Sequence, residues 1–70
     1  MIRTEYSLRI LGIDPGLTST GYGLIDVDGR SFKAVEGGVV RTKSSEPMEK
    51  RLFSIYKVIR DVIQEFKPDA

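Results

Sequence analysis

An apolar run that ends in a single carboxylate fixes how this chain begins to fold. Leu8, Ile10, Leu11 and Ile13 lie among polar residues and turn formers, and Asp14-Pro15-Gly16 closes the run. A short apolar run bounded by turn signals reads as a strand buried on both faces. A charge beside such a strand is costly unless it is paired or bound to a cation, so Asp14 calls for a partner that the strand does not supply. Pro15 drives the residue before it toward extended backbone and Gly16 is free to take positive φ, so the chain turns there. A second apolar strand returns from Tyr22 to Val27, giving a hairpin with an acid beside its loop.

The remaining elements follow the same hydrophobic logic. Asp28-Gly29 is a two-residue turn signal leading to a third strand near Ser31 to Val40, which makes an antiparallel meander. Gly37-Gly38 interrupts that strand and predicts a bulge or a close backbone approach. After a loop over 42–46, Met48, Leu52, Ile55, Tyr56, Ile59, Val62, Ile63 and Phe66 recur at helical spacing within an arc of about 120°. The spacing predicts a helix from about 46 to 66, capped by Ser45 or Glu46, with Pro47 in its first turn and Pro68 past its end. A crossover helix of this kind feeds a strand parallel to an earlier one, and residues 67–70 look like the approach to it. Tyr56 and Phe66 fall on the expected buried stripe, Phe53 on its margin, and Phe32 reads as a packing group. Residues 1–7 read as a flexible N-terminal tail, and 8–70 as one small domain.

Composition narrows the chemistry. The 70 residues contain no histidine and no cysteine, so within them there is no imidazole base, no thiolate metal site and no disulfide framework. Carboxylates are the remaining catalytic groups. Eleven basic against ten acidic residues give a net charge of +1, which makes no case by itself for nucleic acid or membrane. No apolar run approaches the roughly 20 residues needed to span a bilayer, and a cytoplasmic location is the simplest reading.

Taken in order, Ile10-Leu11-Gly12-Ile13-Asp14-Pro15-Gly16, Thr20-Gly21-Tyr22-Gly23, Gly38-Val39-Val40-Arg41-Thr42, Arg51-Leu52 with Ile55-Tyr56, and Phe66-Lys67-Pro68-Asp69 form a specific set. With these motifs the chain resembles the N-terminal part of the RuvC-type Holliday junction resolvases of bacteria. The resemblance implies an α/β, ribonuclease H-like fold, here truncated to a three-stranded antiparallel meander plus one packed helix. It implies an endodeoxyribonuclease that resolves four-way DNA junctions in recombination and repair, using two Mg2+ ions per complete active site. The family's first-strand aspartate is a catalytic metal ligand, and the matching position is Asp14. The family's other carboxylates come from a glutamate ending a fourth strand and from a C-terminal helix, positions beyond Ala70, so the 70 residues alone are expected to be inactive. The implied partners are junction DNA, a second copy in a homodimer, and the RuvA and RuvB branch-migration proteins.

Other readings of the same residues stay open at this point. Asp14 can instead cap its turn, accepting backbone N–H bonds from residues just after Pro15. Thr18, Ser19 and Thr20 are candidate hydroxyl donors to a phosphate, or members of a solvated loop. Asp26 and Asp28 resemble a fragment of a calcium loop but are better read as serving the hairpin turn. Arg41, Lys43, Lys50 and Arg51 read as solvated charges that could meet a DNA backbone. At the level of function, the hairpin also suits the phosphate-gripping element of the actin, Hsp70 and sugar-kinase group, or a related nuclease family of the same fold. A third reading is a non-catalytic module that self-associates through an unpaired apolar edge of its first strand.

Overall fold

The structure, a computed structural model, describes residues 8–70, and the expected tail over 1–7 lies outside them. Three strands, β1 (Leu8–Asp14), β2 (Ser19–Asp28) and β3 (Ser31–Arg41), precede one helix, α1 (Met48–Phe66). The strands form the expected antiparallel meander in the order β1-β2-β3. The second turn falls one residue later than the Asp-Gly pair suggests, since Asp28 pairs with Ser31 and leaves Gly29 and Arg30 as the loop. Gly29 has φ 61° and Arg30 does not take positive φ, the pattern of a type II′ turn with glycine first. The strand irregularity sits at Val35 rather than at Gly37-Gly38, because Leu24 faces Glu36 while Ile25 faces Ala34. Gly38 makes the close approach instead: a Cβ there would stand 2.7 Å from the Tyr22 hydroxyl oxygen.

Alternation along the strands divides the sheet into two unlike faces. Arg9, Leu11, Thr20, Tyr22, Leu24, Asp26 and Val40 share the face toward α1, and Leu24, Thr20, Val40 and Arg9 are its buried members, closed from above by Val62. The other face carries Gly12, Gly23 and Gly37 side by side, with Asp14 opposite Gly21. β1 is therefore not buried on both faces. Leu8 and Ile13 are half exposed, and the buried residue of the strand is Arg9. Leu8 lies on the face that α1 does not cover, and Ile13, although on the α1 side, lies near the end of the strand.

Arg9 is tolerated inside because every direction it faces offers an acceptor. It lies directly across from Asp26, and its Nε and Nη2 donate to the two carboxylate oxygens at 2.7 and 2.9 Å. Nη1 donates to the carbonyl of Phe66 at 2.9 Å, which ties the sheet to the C-terminal end of α1. Bidentate pairing of this kind suits the planar guanidinium and satisfies both partners. Hydrogen bonding to Asp26 pushes the Arg9 pKa up against the opposing effect of burial, and the charge of Asp69 adds to it. A raised pKa on a cation means that its own contribution is complete below the unfolded-state value and is lost only as pH rises through the folded one, so it holds across the whole neutral range. Asp26 accordingly serves the core and not the turn.

The helix forms where its periodicity requires, but its ends and its orientation differ from expectation. Pro47 occupies the N-cap with no side-chain cap, and Glu46 folds back onto the backbone N–H of Lys43 at 3.3 Å. At the other end Lys67 takes the left-handed conformation and donates its N–H to Ile63, and Pro68 prevents continuation. Ile55, Val58, Ile59, Val62 and Phe66 are the residues turned inward, a stripe rotated by about 50° from the one centred on the apolar spacing. Met48, Leu52, Tyr56 and Ile63 are consequently exposed by roughly half, as is Phe53, and Phe32 is exposed by 76%. The helix has more apolar arc than three strands can cover, so part of that arc stays outward.

Past the helix the backbone does turn into a parallel partner of β1. Ala70 donates to the carbonyl of Arg9 at 3.3 Å and accepts from the N–H of Leu11 at 2.9 Å, the alternating bonds of a parallel bridge centred on Ile10. Asp69 reinforces it, with its N–H on the Arg9 carbonyl and its carboxylate on the Arg9 N–H, both at 2.7 Å. The outer edge of β1, expected to be unpaired, is thus occupied along Arg9 to Leu11.

Candidate active site

Asp14 is the last residue of β1 and is exposed at the mouth of the first hairpin. The extended backbone imposed by Pro15 keeps it in the strand, paired with Gly21. Its carboxylate makes no hydrogen bond or ion pair with any other described residue, so the turn-capping role is not taken up. The surroundings are bare: a Cβ added at Gly12, Gly21 or Gly23 would meet nothing within 4 Å. Gly12, Ile13, Asp14, Gly21, Tyr22, Gly23 and Gly38 line a shallow hollow of about 450 Å3. An unpaired anion on a floor without side chains leaves space for a cation and for a second, bulky anion held by it.

Residues 15–18 form the loop that follows Asp14 and leads into β2. Gly16 is required by space and not by positive φ, because a Cβ there would lie 2.4 Å from the Ser19 carbonyl oxygen. Gly16→Ala is expected to force the loop open and lower the thermal midpoint by several degrees, in line with about 1–3 kcal/mol for an overpacked contact. A melting curve superimposable on the parent would contradict that placement. Arg51, from the first turns of α1, donates through Nη2 to the Leu17 carbonyl and through Nε to Thr42 Oγ1 at 3.5 Å. It is a bridge between three segments rather than a solvated charge.

The other sequence candidates separate. Thr18 and Ser19 are exposed beside Asp14, whereas Thr20 is 3% exposed on the helix-facing side and belongs to the core. Arg41, Lys43 and Lys50 are exposed, and Asp28 is exposed at the far turn. Among the described residues no three histidine, cysteine or acidic side chains gather, at Asp14 or elsewhere. No described helix is long and apolar enough to cross a membrane. Arg9 and Arg51 were not singled out from sequence as structural, although an arginine inside an apolar strand run was a visible signal for the first.

Comparison with known proteins places the chain in a family. The family model for the crossover junction endodeoxyribonuclease RuvC matches residues 10–70. The chain belongs to the RuvC family. Similar RuvC proteins include that of Geobacter sulfurreducens, 43% identical over 63 residues, which cover 90% of this chain and 38% of the relative. The crossover junction endodeoxyribonuclease RuvC of Finegoldia magna is 40% identical over 62 residues, covering 89% and 38%. That of Afipia carboxidovorans is 44% identical over 62 residues, covering 89% and 36%. The chain thus spans rather more than a third of the length of the RuvC relatives it matches. Its meander and helix are the truncated ribonuclease H-like architecture that the resemblance implied. The family match favours a RuvC hairpin over the phosphate-gripping hairpin of the nucleotide-binding branch.

Proposed function

We propose that this chain supplies the first metal-coordinating acid of an endonuclease that resolves four-way DNA junctions by metal-assisted phosphodiester hydrolysis. The observation that carries this reading is the exposed, unpartnered Asp14 carboxylate at the end of β1, beside glycines with open space above them. An isolated anion repels a phosphate, and the chemistry of the position becomes favourable only with a cation between the two. Mg2+ fits such a donor, since it is bound by one or two carboxylates with the remaining positions taken by water and phosphate oxygens. Bound there in a pair, the metal would activate a water and stabilise the leaving oxygen. Asp14 holds one share of that site, and the exposed Thr18 and Ser19 hydroxyls are candidate donors to a phosphate oxygen. A strand continued from Ala70 runs alongside β1 toward Asp14, which is where a further acid would complete the set.

The same reading extends to a cytoplasmic homodimer that cuts two strands symmetrically and works with RuvA and RuvB, supported by the family membership alone. Its test is cleavage by a full-length RuvC carrying these residues, offered a four-way junction and a linear duplex in Mg2+. Symmetric cutting of the junction and an intact duplex are expected, and the 70 residues alone should leave both intact. Equal cutting of both substrates would overturn it.

A further inference from the structure

The loop that follows Asp14 has no side-chain anchor of its own. Pro15, Gly16, Leu17, Thr18 and Ser19 are all exposed, Leu17 by 89%. Beneath the loop, between it and the first turns of α1, lies a hollow of about 190 Å3 lined in part by Pro15, Leu17, Met48, Leu52 and Ile55. Packing therefore does not fix the loop, and polar contacts must. Two successive carbonyls are gripped. That of Leu17 accepts from Arg51 Nη2, and that of Thr18 accepts from the Thr42 N–H at 2.8 Å. Arg51 also donates to the Thr42 hydroxyl, so the two grips are joined to each other and to the helix.

The geometry points to Arg51 as a positioning residue for Asp14: a strut across the unfilled space under the loop that holds the mount of the metal-binding carboxylate still. This rests on the proposed role of Asp14 and goes beyond it. An exposed acid that must meet a small octahedral cation and a scissile phosphate together tolerates little positional freedom, and misplacement by about 1 Å can cost about a hundredfold in rate. Only a planar fork reaches the carbonyl and the hydroxyl at once, so lysine is not an equivalent strut. Arg51 acts through the loop, on the helix-facing side, while Asp14 presents its carboxylate on the other face. It need not touch the nucleic acid.

The test uses a full-length RuvC carrying these residues and compares the parent with Arg51→Gln, Arg51→Lys, Thr42→Val and Asp14→Asn. Three quantities are read well below the melting temperatures: single-turnover junction cleavage, Mn2+ affinity by electron paramagnetic resonance, and junction affinity in Ca2+ with its salt dependence. Arg51→Gln is expected to slow cleavage by about 10- to 100-fold and to weaken Mn2+ binding, with junction affinity unchanged and no rescue by Arg51→Lys. Thr42→Val, which keeps the backbone grip and loses the hydroxyl, should give a loss of about fivefold and carries the test if Arg51→Gln does not fold. If Asp14→Asn abolishes cleavage while Arg51→Gln leaves rate and Mn2+ affinity at parent values, the inference fails and the site assignment stands. If Arg51→Gln weakens junction binding and flattens its salt dependence with Mn2+ affinity intact, Arg51 is a phosphate contact and the inference fails. If Asp14→Asn itself cleaves normally, the site assignment fails first.

Discussion

Replacing Asp14 by asparagine in a full-length RuvC carrying these residues is expected to lower the junction-cleavage rate by roughly a thousandfold or more, with junction affinity within about twofold of the parent. The substitution is isosteric and removes only the charge and one ligand oxygen. Because the carboxylate has no partner among the described residues, the fold loses nothing, and the melting temperature should stay the same or rise slightly. That separation is the informative part. A structural acid would show the opposite pattern, with stability falling and cleavage following it. Quench-flow cleavage under single-turnover conditions, gel-shift affinity in Ca2+ and a thermal melt distinguish the two directly.

The largest expected effect on stability belongs to the other end of the sheet. Asp26→Ala should lower the unfolding midpoint of the protein by roughly 10–20 °C, because breaking a buried pair by removing one partner leaves the other charge buried without compensation. The Arg9 guanidinium is hydrogen-bonded to Asp26 twice, and it also carries the bond to Phe66 at the helix C-terminus. Loss of Asp26 therefore loosens the hairpin and the docking of α1 together. Changing both partners to apolar residues, Arg9→Met with Asp26→Leu, should recover much of the loss, since buried pairs are often replaceable by well-packed hydrophobic groups. Differential scanning calorimetry of the two single variants and the double variant reads the coupling. An Asp26→Ala midpoint within about 2 °C of the parent would show that the pair contributes little.

The meander and the helix were legible because each rests on a local signal: short apolar runs bounded by turn formers, an Asp-Gly turn signal, and eight apolar residues at helical spacing. The place of Asp14 at the end of β1 was legible because Pro15 and Gly16 mark where the strand must end. What sequence reasoning placed wrongly depended on which surfaces the elements share. The burial of β1 was read from its apolar residues, yet Arg9 is the one that goes inside, because Asp26 lies opposite it in register and α1 ends above it. The helix stripe was read from its apolar arc, yet three strands cover only part of that arc, leaving Leu52, Tyr56 and Ile63 outward and drawing Val58 in. Thr20 looked like its neighbours Thr18 and Ser19, but one residue of strand alternation puts it in the core. Arg51 looked like a solvated helix charge, and its role is set by a carbonyl 34 residues away in the chain. Each of these is a non-local fact, and the register and the helix placement supply it.

Whether Asp14 holds metal is most directly seen by crystallography of a full-length RuvC carrying these residues, soaked in Mn2+ with a non-cleavable junction. An anomalous peak about 2.1 Å from an Asp14 carboxylate oxygen is the expected result. Mn2+ bound elsewhere, with the Asp14 oxygens tied instead to the backbone amides of its own turn, would contradict it.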